Sequence, residues 1–260
     1  MGGAGEGAPA LITGAGGGAS TPTGRYLRAV RLDPASLAAG EGDAWPYTLA
    51  AVAGLGRFEP AAGATFLVGE NGVGKSTLVE AIALAAGLNA HGGTRNLRTA
   101  GHDTESTLHR HLVLSWRRRP TRDFFLRGET FLDTVTAYDA LGGGLGAGLA
   151  RVSHGESVLG LMGRLRGQGL LLLADEPEAG LSMTGQLALL RHLHALVRAG
   201  AQVIVATHSP VLAALPGARV YELDDDGIRR TAWNETDAVV LARHFLAAPD
   251  RYLHRLLRDE

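Results

Sequence analysis

The chain has 260 residues, 45% apolar and 20% charged, with a formal net charge of −1 and no cysteine. This composition suits a globular α/β chain with a sizeable core. It gives no bulk electrostatic reason to bind a polyanion, excludes disulfides and thiolate metal sites, and fits a reducing cytoplasm. No apolar run reaches about 18 residues, so no direct membrane insertion is expected.

Residues 1–24 read as a flexible Gly/Ala-rich tail. Their glycine clusters follow no strong strand and do not form a dinucleotide fingerprint. One domain is expected over 25–260, with an inserted subdomain over about 88–168. RYLRAVRL, from residue 25, alternates like a strand. ATFLVG at 64–69 is a short apolar strand, and STLVEAIALAAG at 76–87 is a helix stopped by Gly87. Residues 91–139 are mixed, apart from the strand-like HLVLSW at 111–116. LGGGLGAG at 141–148 predicts a mobile loop. A short helix at 156–165, a buried strand at 170–174, a helix at 183–198 and a buried strand at 202–206 follow. ARVYELDDDGIRRTAW at 218–233 predicts a hairpin turning at Asp226-Gly227. Residues 235–257 read as helix, interrupted at Pro249. Apolar strands without alternation, separated by helices, predict a mostly parallel sheet covered on both faces.

Three motifs carry chemistry. GENGVGKST, Gly69, Glu70, Asn71, Gly72, Val73, Gly74, Lys75, Ser76 and Thr77, fits G-x-x-x-x-G-K-[ST] between a strand and a helix. Its glycines let backbone N–H groups turn toward phosphate oxygens, and the helix start adds partial positive charge. Lys75 is expected on the β- and γ-phosphates of ATP, and the Ser76 hydroxyl on Mg²⁺. LLLLADEPEAGLS at 170–182 ends a buried strand in carboxylates, where open α/β sheets bind ligands. Asp175 is expected to hold Mg²⁺ and Glu176 to polarise an attacking water. VIVATHSPVL places His208 just past another buried strand, where it can meet a γ-phosphate and orient Glu176; Ser209-Pro210 then opens a helix.

The ordered set of phosphate loop, SHGES, DEPEAGLS and THSP resembles the ABC-type P-loop ATPase superfamily over roughly residues 25–235. GENGVGKSTLVEAIA, FFLRGETF and ATHSPVLAALPGA look most like stand-alone bacterial ATPases related to the RecF, SMC and OLD-type branch. The resemblance implies a three-layer P-loop sandwich with an antiparallel β portion and a small helical subdomain. It also implies hydrolysis of Mg-ATP at a composite site in an ATP-dependent homodimer. Ser153, His154, Gly155 and Glu156 would then face the partner copy's nucleotide as a signature motif. Ser153 and Glu156 also satisfy the S-x-x-E capping box of an ordinary helix start, and the two readings are compatible. No glutamine lies between Lys75 and Ser153, where transporter subunits carry one; Glu129 either takes its place or is a surface residue. Trp45 and Tyr47 are candidates either for stacking on adenine or for core packing. An unidentified protein or nucleic-acid partner, a nucleotide-gated binding module with little turnover, and a transporter ATPase subunit are alternatives the motifs leave open.

Two features carry less. SWRRRPTR at 115–122 is a basic run after a strand, read first as a solvated face and second as a contact for DNA phosphates. His192 and His194 do not share a helix face and, like His109 and His111, lack supporting carboxylates for a metal.

Overall fold

The computed structural model describes residues 26–95, 106–140 and 144–258. The expected tail at 1–24 lies outside the described residues, as do 141–143 of the expected loop. Within the described part of that run, 144–148, Gly144–Gly146 forms a 3-10 turn and the Gly148 N–H donates to Asp139 Oδ1 at 3.1 Å.

Six strands form the main sheet: β2 (Ala64–Val68), β4 (Arg122–Arg127), β5 (Leu170–Asp175), β6 (Gln202–Ala206), β7 (Arg219–Asp224) and β8 (Gly227–Thr231), in the order β4-β5-β6-β2-β7-β8. The first five are parallel, and β8 returns antiparallel to β7. A second, antiparallel sheet pairs β1 (Leu27–Leu32) with β3 (Leu112–Trp116). The architecture is therefore mixed α/β, with a mostly parallel central sheet and a small antiparallel one.

The strands read as unbroken apolar runs because both faces of the sheet are covered. Successive residues alternate between two cores. Phe124, Leu126, Leu170, Leu172, Val203 and Val205 face one side, against α4 (His154–Arg164), α5 (Met183–Arg198) and α6 (Pro210–Ala213). Phe125, Leu171, Leu173 and Ile204 face the other, against α2 (Lys75–Ala85) and the β1–β3 sheet.

Gln202 joins the two sheets. Its fully buried side chain accepts from the Tyr26 and Leu27 N–H groups through Oε1, at 2.9 and 2.8 Å, and donates through Nε2 to the carbonyls of Leu27 and Ala61 at 2.9 and 2.8 Å. All four hydrogen-bonding positions of the amide are used.

Two local expectations shift. The hairpin turns on Asp225-Asp226, one residue earlier than expected, because Asp224 pairs with Gly227 and its carboxylate accepts from the Asp226 N–H at 2.9 Å. The mixed stretch holds two elements the pattern did not separate, β4 and α3 (Phe131–Ala140). Short α1 (Ala50–Ala53) lies against the hairpin. The C-terminal segment splits into α7 (Asp237–Ala247) and α8 (Pro249–Leu256), with the break where proline predicts it. Among the described residues no helix is long and apolar enough to cross a membrane.

Candidate active site

The strand order brings three C-terminal strand ends together. β2 runs into the phosphate loop, β5 ends on Asp175, and β6, lying between them, ends just before Thr207 and His208. Backbone bonds fix their relative height: the Glu176 N–H donates to the Ala206 carbonyl at 2.9 Å and the Thr207 N–H to the Leu67 carbonyl at 3.0 Å.

The phosphate loop needs its glycines. Gly69 sits at φ 141, and a Cβ there would lie 2.1 Å from the Leu223 carbonyl oxygen. Gly74, at φ 98, is the residue from which α2 starts. Glu70, Asn71 and Gly72 are exposed, Val73 is half-buried, and Ser76 and Thr77 lie in the first turn of the helix. Lys75 is only 4% exposed. Its Nζ donates to the carbonyls of Gly69 and Glu70, at 2.9 and 2.6 Å, so the ammonium lies inside the curl of the loop. Burial holds its pKa below the ordinary lysine value, against the attraction of Glu176 and Asp175.

Asp175 is 6% exposed. Burial pushes its pKa up to about 6, opposed by a hydrogen bond from Ser76 and by the Arg127 charge. Its Oδ1 is buried and has no hydrogen-bond partner. A carboxylate with one orphaned oxygen, hydrogen-bonded to a hydroxyl at the mouth of a phosphate loop, fits a hard divalent cation that takes its remaining ligands from phosphate and water. Ser76 and Asp175 are the residues that would hold it. Among the described residues no cluster of three or more His, Cys, Asp or Glu suits a metal by itself.

Glu176 is the single non-glycine residue with positive φ among the described residues, at 46°. Such a backbone costs about 1–2 kcal/mol for an L-residue and gathers at functional sites. Its half-exposed carboxylate lies 3.2 Å from His208 Nε2.

Glu178 is a residue the motif reading missed. Its Oε1 accepts from the Thr207 hydroxyl, from the His208 N–H at 2.9 Å and from the Ser209 N–H at 3.2 Å. Ser209 caps α6 and donates its hydroxyl to Gln186 at 2.7 Å. One carboxylate thus ties the turn after β5 to the turn after β6. The available signal was the second glutamate of D-E-P-E, two positions after Glu176. Arg127 was missed too. It lies beside Asp175 in strand register and bonds Glu80 at 2.8 Å and Glu129 at 3.5 Å. Glu129 follows β4 at this same sheet edge, its side chain 82% exposed.

Ser153 is the N-cap of α4, and the full capping box is present. The Glu156 N–H donates to Ser153 Oγ at 3.4 Å, and the Ser153 N–H donates to Glu156 Oε2 at 3.0 Å. His154 meets Phe131 edge-on at 5.5 Å. A Cβ on Gly155 would lie 3.0 Å from Leu181 Cδ2, and one on Gly180 would lie 3.3 Å from His154 Cδ2. The start of α4 therefore packs on the turn that follows Glu178.

The two aromatic candidates separate. Tyr47 is 4% exposed, its ring against His111 and its hydroxyl 2.8 Å from Thr107 Oγ1. It is a packing residue with no free face for a base, which corrects its place among the stacking candidates. Trp45 is 60% exposed and lies four residues before Leu49, whose side chain borders Gly74 of the loop.

A strand that runs into a glycine-lined loop closing on a buried lysine, with an acidic strand end two strands away, decides the fold. It is a P-loop fold. No protein-family model matches the chain, and no curated protein does. Among solved structures the chain is similar to a metal-chelate type ABC transporter in an inward-facing conformation, at 16% identity and TM-score 0.48 over 84% of this chain and 88% of that one. It is similar to the SMC head domain from Thermotoga maritima, at 15% identity and TM-score 0.44 over 79% and 98%. It is also similar to cbiO1 from Clostridium perfringens, part of the ABC transporter complex cbiONQ, at 16% identity and TM-score 0.43 over 77% and 90%.

Proposed function

We propose that this protein is an ABC-type ATPase that binds Mg-ATP and hydrolyses it at a composite site in an ATP-dependent homodimer. The observation that carries the reading is the convergence of Lys75, Ser76, Asp175, Glu176 and His208 on one edge of the sheet, with the buried Asp175 Oδ1 left without a partner. Lys75 and the N–H groups of the loop bind the phosphates, and Ser76 and Asp175 hold magnesium. Magnesium, when bound, supplies neutralising charge to the β- and γ-phosphates. Glu176 accepts the proton of the attacking water, and His208, 3.2 Å away, orients that carboxylate. The partner copy contributes Ser153, His154 and Gly155 at the start of its α4, where a capped helix terminus favours anionic phosphate. The capping bonds keep the Glu156 charge turned back on its own helix. Trp45 is the exposed aromatic available to the base, and Glu129 a carboxylate within reach of the metal side of the site. The protein acts in the cytoplasm and couples its cycle to a further partner.

Glu176→Gln should lose at least 99% of phosphate release, roughly a 100-fold loss for a missing general base, while still binding ATP. With Mg-ATP it should run as a dimer in light scattering, and without nucleotide as a monomer. Wild-type turnover in this variant would overturn the assigned chemistry. A monomer in the presence of Mg-ATP would overturn the composite site.

A further inference from the structure

The opposite end of the sheet holds a second feature, independent of the nucleotide reading. Two adjoining cavities, of about 340 and 590 Å³, open where β4, β5 and β6 begin, and both are lined by Thr121 and Arg122. Strands of six residues put this face roughly 17–20 Å from Asp175. One cavity adds Arg95, Arg164 and Arg166, the other Arg118 and Arg119. The carboxylate in the lining, Asp123, is already paired with Arg95. Arg118, Arg119, Arg122, Arg164 and Arg166 have no carboxylate partner among the described residues. Charge is thus segregated in a chain whose 25 basic and 26 acidic residues nearly cancel. Five guanidinium groups without acid partners, lining a paired recess whose halves share Thr121 and Arg122, make a field suited to a polyanion.

The aromatic contacts narrow the ligand. Arg118 lies over the Tyr26 ring at 4.9 Å and Arg119 over the Trp116 ring at 4.5 Å. Tyr26 is buried and Trp116 half-buried, so the arginines are pre-ordered and neither ring is offered to a base. Binding of single strands relies on exposed aromatic faces for stacking, whereas a duplex presents only its backbone to guanidinium groups that do not enter a groove. We infer that this recess binds the sugar–phosphate backbone of duplex nucleic acid, without reading its sequence.

The test is fluorescence anisotropy of the full chain with a short labelled duplex DNA and no nucleotide, so failure of the ATPase reading leaves it interpretable. Five phosphate contacts predict a log–log salt slope of about −4.5, a loss of about 500-fold in affinity between about 50 and 200 mM salt. Arg119→Gln/Arg122→Gln/Arg166→Gln should weaken binding about tenfold or more at the lower salt and flatten the slope to about −1.8, with basal phosphate release unchanged. Arg251→Gln/Arg255→Gln/Arg258→Gln, on and just beyond α8, removes equal charge elsewhere and should leave affinity as it was. If the first triple variant no longer melts cooperatively, the single substitutions Arg119→Gln and Arg166→Gln decide, each flattening the slope by about 0.9. No duplex binding at low salt, equal loss in the two triple variants, unchanged binding in the first, or preference for single strands or anionic lipid vesicles over duplex would overturn the inference.

Discussion

Glu178 makes three hydrogen bonds through one oxygen, and those bonds set the position of His208. Glu178→Ala should therefore lower kcat about 100-fold, the scale of loss for a misplacement of about 1 Å, with little change in KM for ATP. Glu178→Gln keeps an accepting oxygen and should retain most of the turnover, a rescue that mere loss of packing would not show. Glu176 offers a different measurement. Its φ of 46° is one that glycine adopts without strain. Glu176→Gly should melt higher than Glu176→Ala, by about 0.5–1 kcal/mol of stability, with both inactive. The residue scale also shows where motif reading stops. Lys75, Ser76, Asp175, Glu176 and His208 were legible because each stands at a fixed offset from a strand end. Glu178 and Arg127 were not, because their meaning lies in contacts across strands that no local spacing reports. Tyr47 and Trp45, two residues apart, looked equivalent in sequence, and only packing separates a buried ring from an exposed one.

At the scale of elements, α4 is held at its start by reciprocal bonds between Ser153 and Glu156. Those bonds keep the Glu156 carboxyl below its ordinary value of 4.5. A depressed carboxyl contributes stability that is present above its unfolded value and lost as pH falls through the folded one. Stability should therefore fall more steeply below about pH 4.5 in the wild type than in Glu156→Gln, as read by thermal melts across that window. The long, periodic elements were legible: α5 and β6 run over the residues their apolar patterns mark. β4 was hidden because charged residues close both ends of a six-residue strand, and α3 because threonine and aspartate interrupt its apolar face. The hairpin turn slipped by one residue because a side-chain bond from Asp224, not the glycine alone, decides where the chain reverses.

For the whole molecule, the two sheets meet through a polar side chain as well as through the apolar core. Gln202→Leu keeps roughly the same volume but strands two N–H groups and two carbonyls that the amide now satisfies. It should cost roughly 3 kcal/mol in chemical denaturation, far more than an exposed glutamine. A parallel sheet covered on both faces was readable from the runs of leucine and valine. The attachment of the antiparallel pair was not, since glutamine at a strand start carries no signal until its partners, 141 to 176 positions earlier in the chain, are known.

The contact between the start of α4 and the turn at Gly180-Leu181 reaches further than packing. In the proposed dimer, the surface that each copy would lend to its neighbour's nucleotide rests on the stretch that carries its own Glu176 and Glu178. If the proposed dimer forms, completing a partner's site and adjusting one's own would involve the same contact, and the two sites would work as one two-chambered engine.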